Sequence, residues 1–213
     1  EKPYMVHSMT PKAGMLCMLA AWLTRVPRRV HTFTGLVWPT STGLKRRILM
    51  ATDWLTCVCA THIIPEGRGV MNDLQSHITK KPMKVLGYGN VRGVDMEKFS
   101  RRTEVEEKAK GIKKEEIFTF IFVGRIVGDK GINELVSAFA ELHKKYEKTR
   151  LLLIGNLEQH LDPLKAETLN VIDKHTSIEL LGPKYGDELL AYYAVSDCFV
   201  FPSYREGFPN TVM

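Results

Sequence analysis

The feature that most restricts how this chain can fold is an alternation over residues 118–201, in which short apolar runs end at glycine and give way to helical patterns. Residues 118–123, 151–154, 178–181 and 198–201 read as strands, and Gly124, Gly155 and Gly182 directly follow the first three. Residues 131–146 set Ile132, Leu135, Val136, Phe139 and Leu142 on one helical stripe, and residues 162–175 and 187–195 read as two further helices. Strands that are apolar on both faces and separated by amphipathic helices specify a parallel sheet with helices on each side. A parallel crossover needs about the length of a helix, and both faces must then be buried. The fold class is therefore α/β.

A less regular series of the same kind precedes it. Thr10 and Pro11 suit the N-cap and first position of a helix whose apolar pattern runs through Leu16, Leu19, Ala20 and Leu23 and ends near Pro27. Residues 29–33 read as a strand, and 35–42 as a loop in which Trp38-Pro39 is non-helical. A basic helix from Gly43 to about Leu55, a strand at 57–64, a helix at 70–78 and a short strand at 84–86 follow. Residues 87–93 form a glycine-rich turn, and 100–116, dominated by Lys, Arg and Glu, fit a solvated linker or an exposed helix.

A 213-residue chain that is 44% hydrophobic and 25% charged has enough apolar material for a real core. Its net charge of +6 suits an anionic ligand, a nucleic acid or an anionic membrane surface without choosing among them. Cys17, Cys57, Cys59 and Cys198 lie in apolar surroundings, and the Cys57-Val58-Cys59 spacing fits neither a redox nor a zinc motif, so buried free thiols in a reducing cytoplasm are expected. The sequence starts at Glu1 with no initiator Met or signal peptide, and its longest apolar run, residues 15–23, is well short of the ~20 residues of a membrane span. No transmembrane helix is expected.

Two segments carry the chemistry. Residues 122–132 place Arg125 and Lys130 in a strand-to-helix loop beside the N–H groups of the next helix, an arrangement suited to a diphosphate: Arg125 can fork onto its oxygens, Lys130 adds a point charge and the helix dipole assists. The same pair also fits an ordinary solvated loop, and spacing alone does not separate the two. In the second segment Pro202 and Ser203 stop the last strand, and residues 206–210 offer the Glu206 carboxylate beside permissive backbone, at the end of the sheet where α/β proteins bind ligands. A carboxylate that only complements a helix dipole is the alternative for Glu206.

Tyr204-Arg205-Glu206-Gly207-Phe208-Pro209-Asn210 resembles the donor-site signature of the retaining nucleotide-sugar glycosyltransferases of family 4, which have the GT-B fold. Residues 122–135, residues 152–164 with Glu158 and Asp162-Pro163-Leu164, and Tyr192-Tyr193-Ala194 with Ser196-Asp197 resemble the rest of that half. His7, Thr10 to Gly14, Val30 to Leu36, Gly43 to Arg46, Val85 to Gly89 and Gly93-Val94-Asp95 resemble its capsular and lipopolysaccharide branch. The resemblance implies two Rossmann-like parallel-sheet units, both incomplete: residues 1–88 from the acceptor side, 89–116 as crossover and 117–213 from the donor side. In this family two glutamates separated by seven residues hold the donor; Glu206 is the first, and the second would fall one residue past Met213. Catalytic roles are then expected for Glu206 and for His31, because the family's histidine lies three residues after the His31 position, at Thr34 here. The alternatives are that Thr34 gives a hydroxyl to the sugar or phosphate and that His31 is structural. Arg125, Lys130, Gly124, Glu206, Gly207 and Phe208 would bind the donor, a nucleotide-diphosphate sugar. The implied acceptor is a growing glycan, lipid-linked, in surface-polysaccharide synthesis, with no nucleic-acid partner. The fragment by itself is expected to be inactive. A noncatalytic nucleotide- or phosphate-binding module is the alternative.

Other motifs carry less. Gly87, Gly89 and Gly93 do not keep dinucleotide-fingerprint spacing, and neither an Asp-x-Asp pair nor an HExxH helix offers divalent-metal ligands, so no cofactor and a metal-independent reaction are expected. Arg28, Arg29 and Lys45-Arg46-Arg47 near Trp38 suit peripheral contact with the inner membrane face or a lipid diphosphate, and equally suit a solvated helix face.

Overall fold

The computed structural model describes residues 3–91, 93–160 and 162–213, which divide into two compact units. Unit 1 comprises the residues up to Gly93 with Arg205–Thr211 and Met213; unit 2 comprises Val94–Tyr204 and Val212. Arg92, within the turn read at residues 87–93, lies outside the described residues.

In unit 1, β1 (Met5–Ser8), β2 (Arg28–Phe33) and β3 (His62–Pro65) form a three-stranded parallel sheet in that order. The helices α1 (Pro11–Leu23) and α2 (Gly43–Cys59) make the crossovers, and α3 (Arg68–His77) follows β3. The core gathers Met18, Phe33, Cys57, Ile63 and Leu74 from α1, β2, α2, β3 and α3, with Trp38 from the loop after β2 and Val6 of β1 packed against it. Thr10 is the N-cap of α1 and Pro11 its first residue, as the Thr-Pro pair specifies.

Five expectations are corrected here. Helix α1 buries Gly14, Met18 and Ala21, whereas Leu16 and Leu23 are exposed; nearly every position of this helix is apolar, so periodicity could not select the inward face. Helix α2 runs on through Cys57, Val58 and Cys59, and the next strand begins only at His62, because a short apolar run serves a buried helix end as well as a strand. Residues 84–86 form no strand, and Met83 makes a single bridge to Ile63. Trp38–Thr40 is a 3-10 turn with a buried Trp38, since Pro is tolerated in a first helical turn. Among the thiols Cys57 and Cys59 are buried, Cys198 is half-buried and Cys17 is exposed, contrary to the expectation for that residue.

In unit 2, β4 (Phe118–Val123), β5 (Thr149–Ile154), β6 (Ile178–Gly182) and β7 (Cys198–Phe199) form a parallel sheet in the order β6-β5-β4-β7. The crossovers are α5 (Ile132–His143), α6 (Ala166–Lys174) and α7 (Gly186–Ala194). Alternate residues of the central strands enter opposite layers. Phe122, Leu151 and Leu153 pack with Ile132, Val136 and Phe139 of α5, while Ile121, Val123, Leu152 and Ile154 pack with Leu189 and Tyr192 of α7. This is the two-sided burial that the unbroken apolar runs demanded. Residues 103–112 form a helix, α4 (Thr103–Ile112), which buries Val105 and Ala109; next to it Arg102 ion-pairs with Asp187 of α7. Arg150, 3% exposed, donates to Thr119 Oγ1 (2.9 Å) and the Ile112 carbonyl (3.1 Å) and lies 3.7 Å from Glu179, so this buried cation is compensated.

Candidate functional site

The strand order of unit 2 creates its site. The chain runs outward from β4 to β5 and β6, then returns to place β7 on the other side of β4, so connections leave in opposite directions from the gap between β4 and β7. Such a switch point leaves a crevice at the carboxyl ends of the strands. The loops around it are Gly124 to Gly131, after β4, and Val200 to Tyr204, after β7.

Both expected cations lie in the first loop. Gly128–Lys130 forms a 3-10 turn, Gly131 adopts the left-handed conformation (φ 72°) as N-cap of α5, and the helix follows. A side chain at Gly131 would both strain that backbone and collide with the Pro202 carbonyl, so glycine is required there. The Asp162 carboxylate accepts the Asp129 N–H at 2.5 Å and its carbonyl accepts the Gly128 N–H at 3.2 Å, fixing the turn from below. Lys130 Nζ donates to Ser203 Oγ at 3.4 Å and lies 5.7 Å from the centre of the Phe201 ring; the Tyr204 N–H donates to the Asp129 carbonyl at 3.0 Å. These contacts tie the two switch-point loops together. Arg125, about half exposed, ion-pairs with Glu158 at 3.4 Å, an exchangeable contact worth little in water. Arg125, Lys130 and the first-turn N–H groups of α5, which have no partners within their own helix, make this end of unit 2 a cationic cradle.

Glu206, Gly207 and Phe208 belong to a different environment. The segment Arg205–Thr211 is part of unit 1. Arg205 Nη1 donates to the Leu36 carbonyl (3.1 Å), and Asn90 Nδ2 donates to Asn210 Oδ1 (2.5 Å) and the Phe208 carbonyl (3.4 Å). Gly207 lies so close to the Thr34 carbonyl and the Glu66 carboxylate that a Cβ would displace the segment. Glu206 itself is half-buried.

His31 is wholly enclosed. Its Nδ1 pairs with Ser8 Oγ at 2.8 Å, its ring meets Phe33 edge-on and lies against the backbone at Gly14, and its buried Nε2 has no hydrogen-bond partner among the described residues. Burial, with His7 nearby, pushes its pKa down to about 4, so the ring is neutral at pH 7. Thr34 Oγ1 donates to the Met9 carbonyl at 3.4 Å.

The sequence reading assigned no role to Glu66, which is 8% exposed. Its signal was available: it follows the last residue of β3, Pro65, at the carboxyl end of a parallel strand, the position that drew attention to Glu206. No group of three or more potential metal ligands occurs among the described residues.

The family model for glycosyl transferases group 1 matches residues 103–213, more than half of the chain. The chain belongs to this family. It is 34% identical over 213 residues to the capsular polysaccharide biosynthesis glycosyltransferase CapM of Staphylococcus aureus, covering 99% of the chain and 55% of that protein. An alpha-1,3-galactosyltransferase of Escherichia coli that uses UDP-Gal and alpha-D-GlcNAc-diphosphoundecaprenol is 28% identical over 225 residues, again covering 55% of its length. The chain thus spans about half the length of the curated relatives it matches. Among solved structures, Anabaena HepE in complex with UDP and glucose matches with TM-score 0.77 at 15% identity, over 98% of this chain and 55% of its own. Sucrose-phosphate synthase of Thermosynechococcus elongatus matches with TM-score 0.76 at 19% identity, over 97% of this chain and 52% of its own. At these identities the structures establish the fold, the α/β GT-B architecture with its two parallel sheets.

Proposed function

We propose that the whole protein is a retaining glycosyltransferase that moves a sugar from a nucleotide-diphosphate sugar to a growing, lipid-linked surface-polysaccharide glycan. The observation that carries this reading is the pair Arg125 and Lys130 at the switch point of unit 2, beside the first turn of α5. When the bond between sugar and diphosphate breaks, negative charge grows on the leaving phosphate oxygens. Fixed cations and N–H dipoles aimed at those oxygens stabilise the transition state more than the ground state.

Gly124 leaves room for the phosphates beside Arg125, Glu206 orients the donor sugar, and Gly207 and Phe208 offer backbone polar groups to the donor. His31, enclosed beneath the strand ends and bonded to Ser8, serves as a support and not as a group that touches sugar. In this reading side chains and helix N–H groups meet the leaving charge, and transfer is expected to survive chelation of divalent ions. The domain assignment goes with it: residues 1–88 serve the acceptor, 89–116 cross over and 117–213 serve the donor.

Among the described residues no helix is long and apolar enough to cross a membrane. The exposed Leu44 and Ile48, beside Lys45, Arg46 and Arg47 at the start of α2, support peripheral contact with an anionic inner membrane face, where a cytoplasmic enzyme would meet a lipid-linked acceptor.

Calorimetric titration of UDP, GDP and ADP tests the reading, with the Arg125→Ala/Lys130→Ala double variant as control. The expected result is binding by the parent that the double variant loses, with base preference identifying the donor class. Equal binding by the two proteins, or none by the full-length parent, overturns it.

A further inference from the structure

Unit 1 contains a cavity of about 230 Å³ whose lining includes residues at or just past the carboxyl ends of β1, β2 and β3. Its polar lining is His7, Thr32, Glu66 and Asn90, and Ile64 and Leu86 supply apolar wall. We propose that this cavity binds the hydroxyl groups of one sugar ring, with the Glu66 carboxylate as the principal hydrogen-bond acceptor. The assignment deepens the glycosyltransferase reading and rests on it for the origin of the sugar.

The Glu66 carboxylate is short of partners. The Glu66 backbone is pinned, its N–H donating to the Phe33 carbonyl and its carbonyl accepting from Asn90, both at 2.9 Å. Its carboxylate accepts only the Val91 N–H, at a long 3.4 Å, among the described residues. Among the described residues no lysine or arginine lines the cavity. A carboxylate has about four acceptor sites, so most of the capacity of Glu66 is unused. Burial holds its pKa above the ordinary carboxylate range. A buried acid in this condition is stabilised by a ligand that brings O–H donors, since a hydrogen bond to a charged acceptor exceeds one between neutral groups.

Charge and shape narrow the ligand further. A phosphate would face the Glu66 carboxylate with no cation among the described lining residues to offset the repulsion, so these residues disfavour the group that the cradle of unit 2 attracts. His7 Nε2 and Thr32 Oγ1 are paired at 2.8 Å and add groups that both donate and accept. A pyranose has hydroxyls at its rim and C–H groups on its faces, matching polar residues grouped against Ile64 and Leu86. The volume is below the ~300–1,000 Å³ of pockets for drug-sized ligands, in keeping with a single ring.

The test titrates the chain with the methyl glycosides of glucose, galactose and N-acetylglucosamine and, separately, with inorganic phosphate. The readouts are the amide signals of Glu66, Gly89, Asn90 and Val91 and the ring signals of His7. At least one glycoside is expected to shift these signals, with binding weakened about tenfold by Glu66→Gln, the loss expected for a charge-assisted bond made neutral. Phosphate is expected to leave them unmoved. His7→Ala, at an exposed position, should weaken the same glycoside about threefold while the fold is kept. No shift with any glycoside, a phosphate response at Glu66, or unchanged binding by both variants overturns the proposal.

In the full-length protein a raised KM for the nucleotide sugar in Glu66→Gln identifies the ring as the donor's, and a raised KM for the acceptor identifies it as the acceptor's terminal sugar. Neither change overturns the assignment. A failed diphosphate titration at Arg125 and Lys130 would overturn the functional reading alone, because glycoside binding is read without turnover.

Discussion

The two units share an architecture and differ in the chemistry at their strand ends. Both are parallel sheets with helical crossovers, so both direct loops to the carboxyl edge. In unit 2 the loop after β4 carries Arg125 and Lys130. In unit 1 the residue after β3 is Glu66, and the cavity beside it is lined by His7, Thr32 and Asn90, with no lysine or arginine among the described lining residues. The sheets supply rigid mounting, and the loops set the sign of the charge. On the proposed reading, one backbone plan holds an anionic diphosphate in one unit and neutral hydroxyls in the other. The units also differ inside: unit 1 buries the ionisable groups His31, Asp53 and Glu66, whereas the cores of unit 2 are aliphatic and aromatic apart from the compensated cation Arg150.

The largest expected effect tests whether each unit depends on its own core. Phe122 is completely buried between β5 and α5, and Phe122→Ala should cost about 3–5 kcal/mol. Hydrogen exchange should accelerate across β4 and β5 and leave β1 to β3 nearly unchanged; equal acceleration in both sheets would dissolve the distinction.

The pH dependence of unit 1 sharpens it. The His31 pKa, about 4 when folded against an ordinary 6.5, means that the unfolded chain binds the proton first, so stability falls by about 3 kcal/mol as pH drops from 6.5 to 4. Asp53 acts oppositely. Burial raises its pKa from 3.8 to about 6, so the folded chain binds the proton first and stability rises by about 3 kcal/mol as pH falls through that window. Glu66, also raised by burial, adds to the Asp53 side. Wild-type unit 1 should thus be nearly insensitive between pH 6.5 and 4. Asp53→Asn should expose the His31 loss, and His31→Asn should leave only the gain. All three tryptophans, Trp22, Trp38 and Trp54, lie in unit 1, so urea unfolding followed by their fluorescence reads this unit. An Asp53→Asn variant as flat as the parent would refute the compensation.

On the catalytic side, Lys130→Ala in the full-length enzyme should lower turnover at least ~10²-fold, the scale for loss of one preorganised contact to developing charge. A loss no greater than that of Glu66→Gln would remove the contrast between a charge-stabilising end and a hydroxyl-binding end. Gly131→Ala should cost at least the about 1–2 kcal/mol of a left-handed backbone, and the collision with the Pro202 carbonyl adds to it. A thermal shift of unit 2 checks it, and an unchanged midpoint would mean that the loop rearranges at no cost.

The sequence by itself determined the elements whose signal is local. Residues 118–123 had to be a strand buried on both faces, Thr10-Pro11 had to open a helix, and Arg125 and Lys130 had to fall between a strand and a helix, because apolar runs, caps and glycine stops act within a few residues of one another. What only the tertiary structure decided was set by contacts between residues far apart in the chain. The uniformly apolar α1 acquired an inward face, through Met18 and Ala21, from the partners against which it packs. The switch point exists because β7 pairs with β4 across the intervening β5 and β6, a choice that no residue of either strand records alone. Glu206 entered the surroundings of unit 1 because Gly207, lacking a side chain, can approach the Thr34 carbonyl, and Glu66 became the proposed hydroxyl acceptor because folding enclosed its carboxylate with no cation among the described lining residues. Periodicity tells a residue which way to face along its own element, but burial and charge balance depend on what the rest of the fold brings to it.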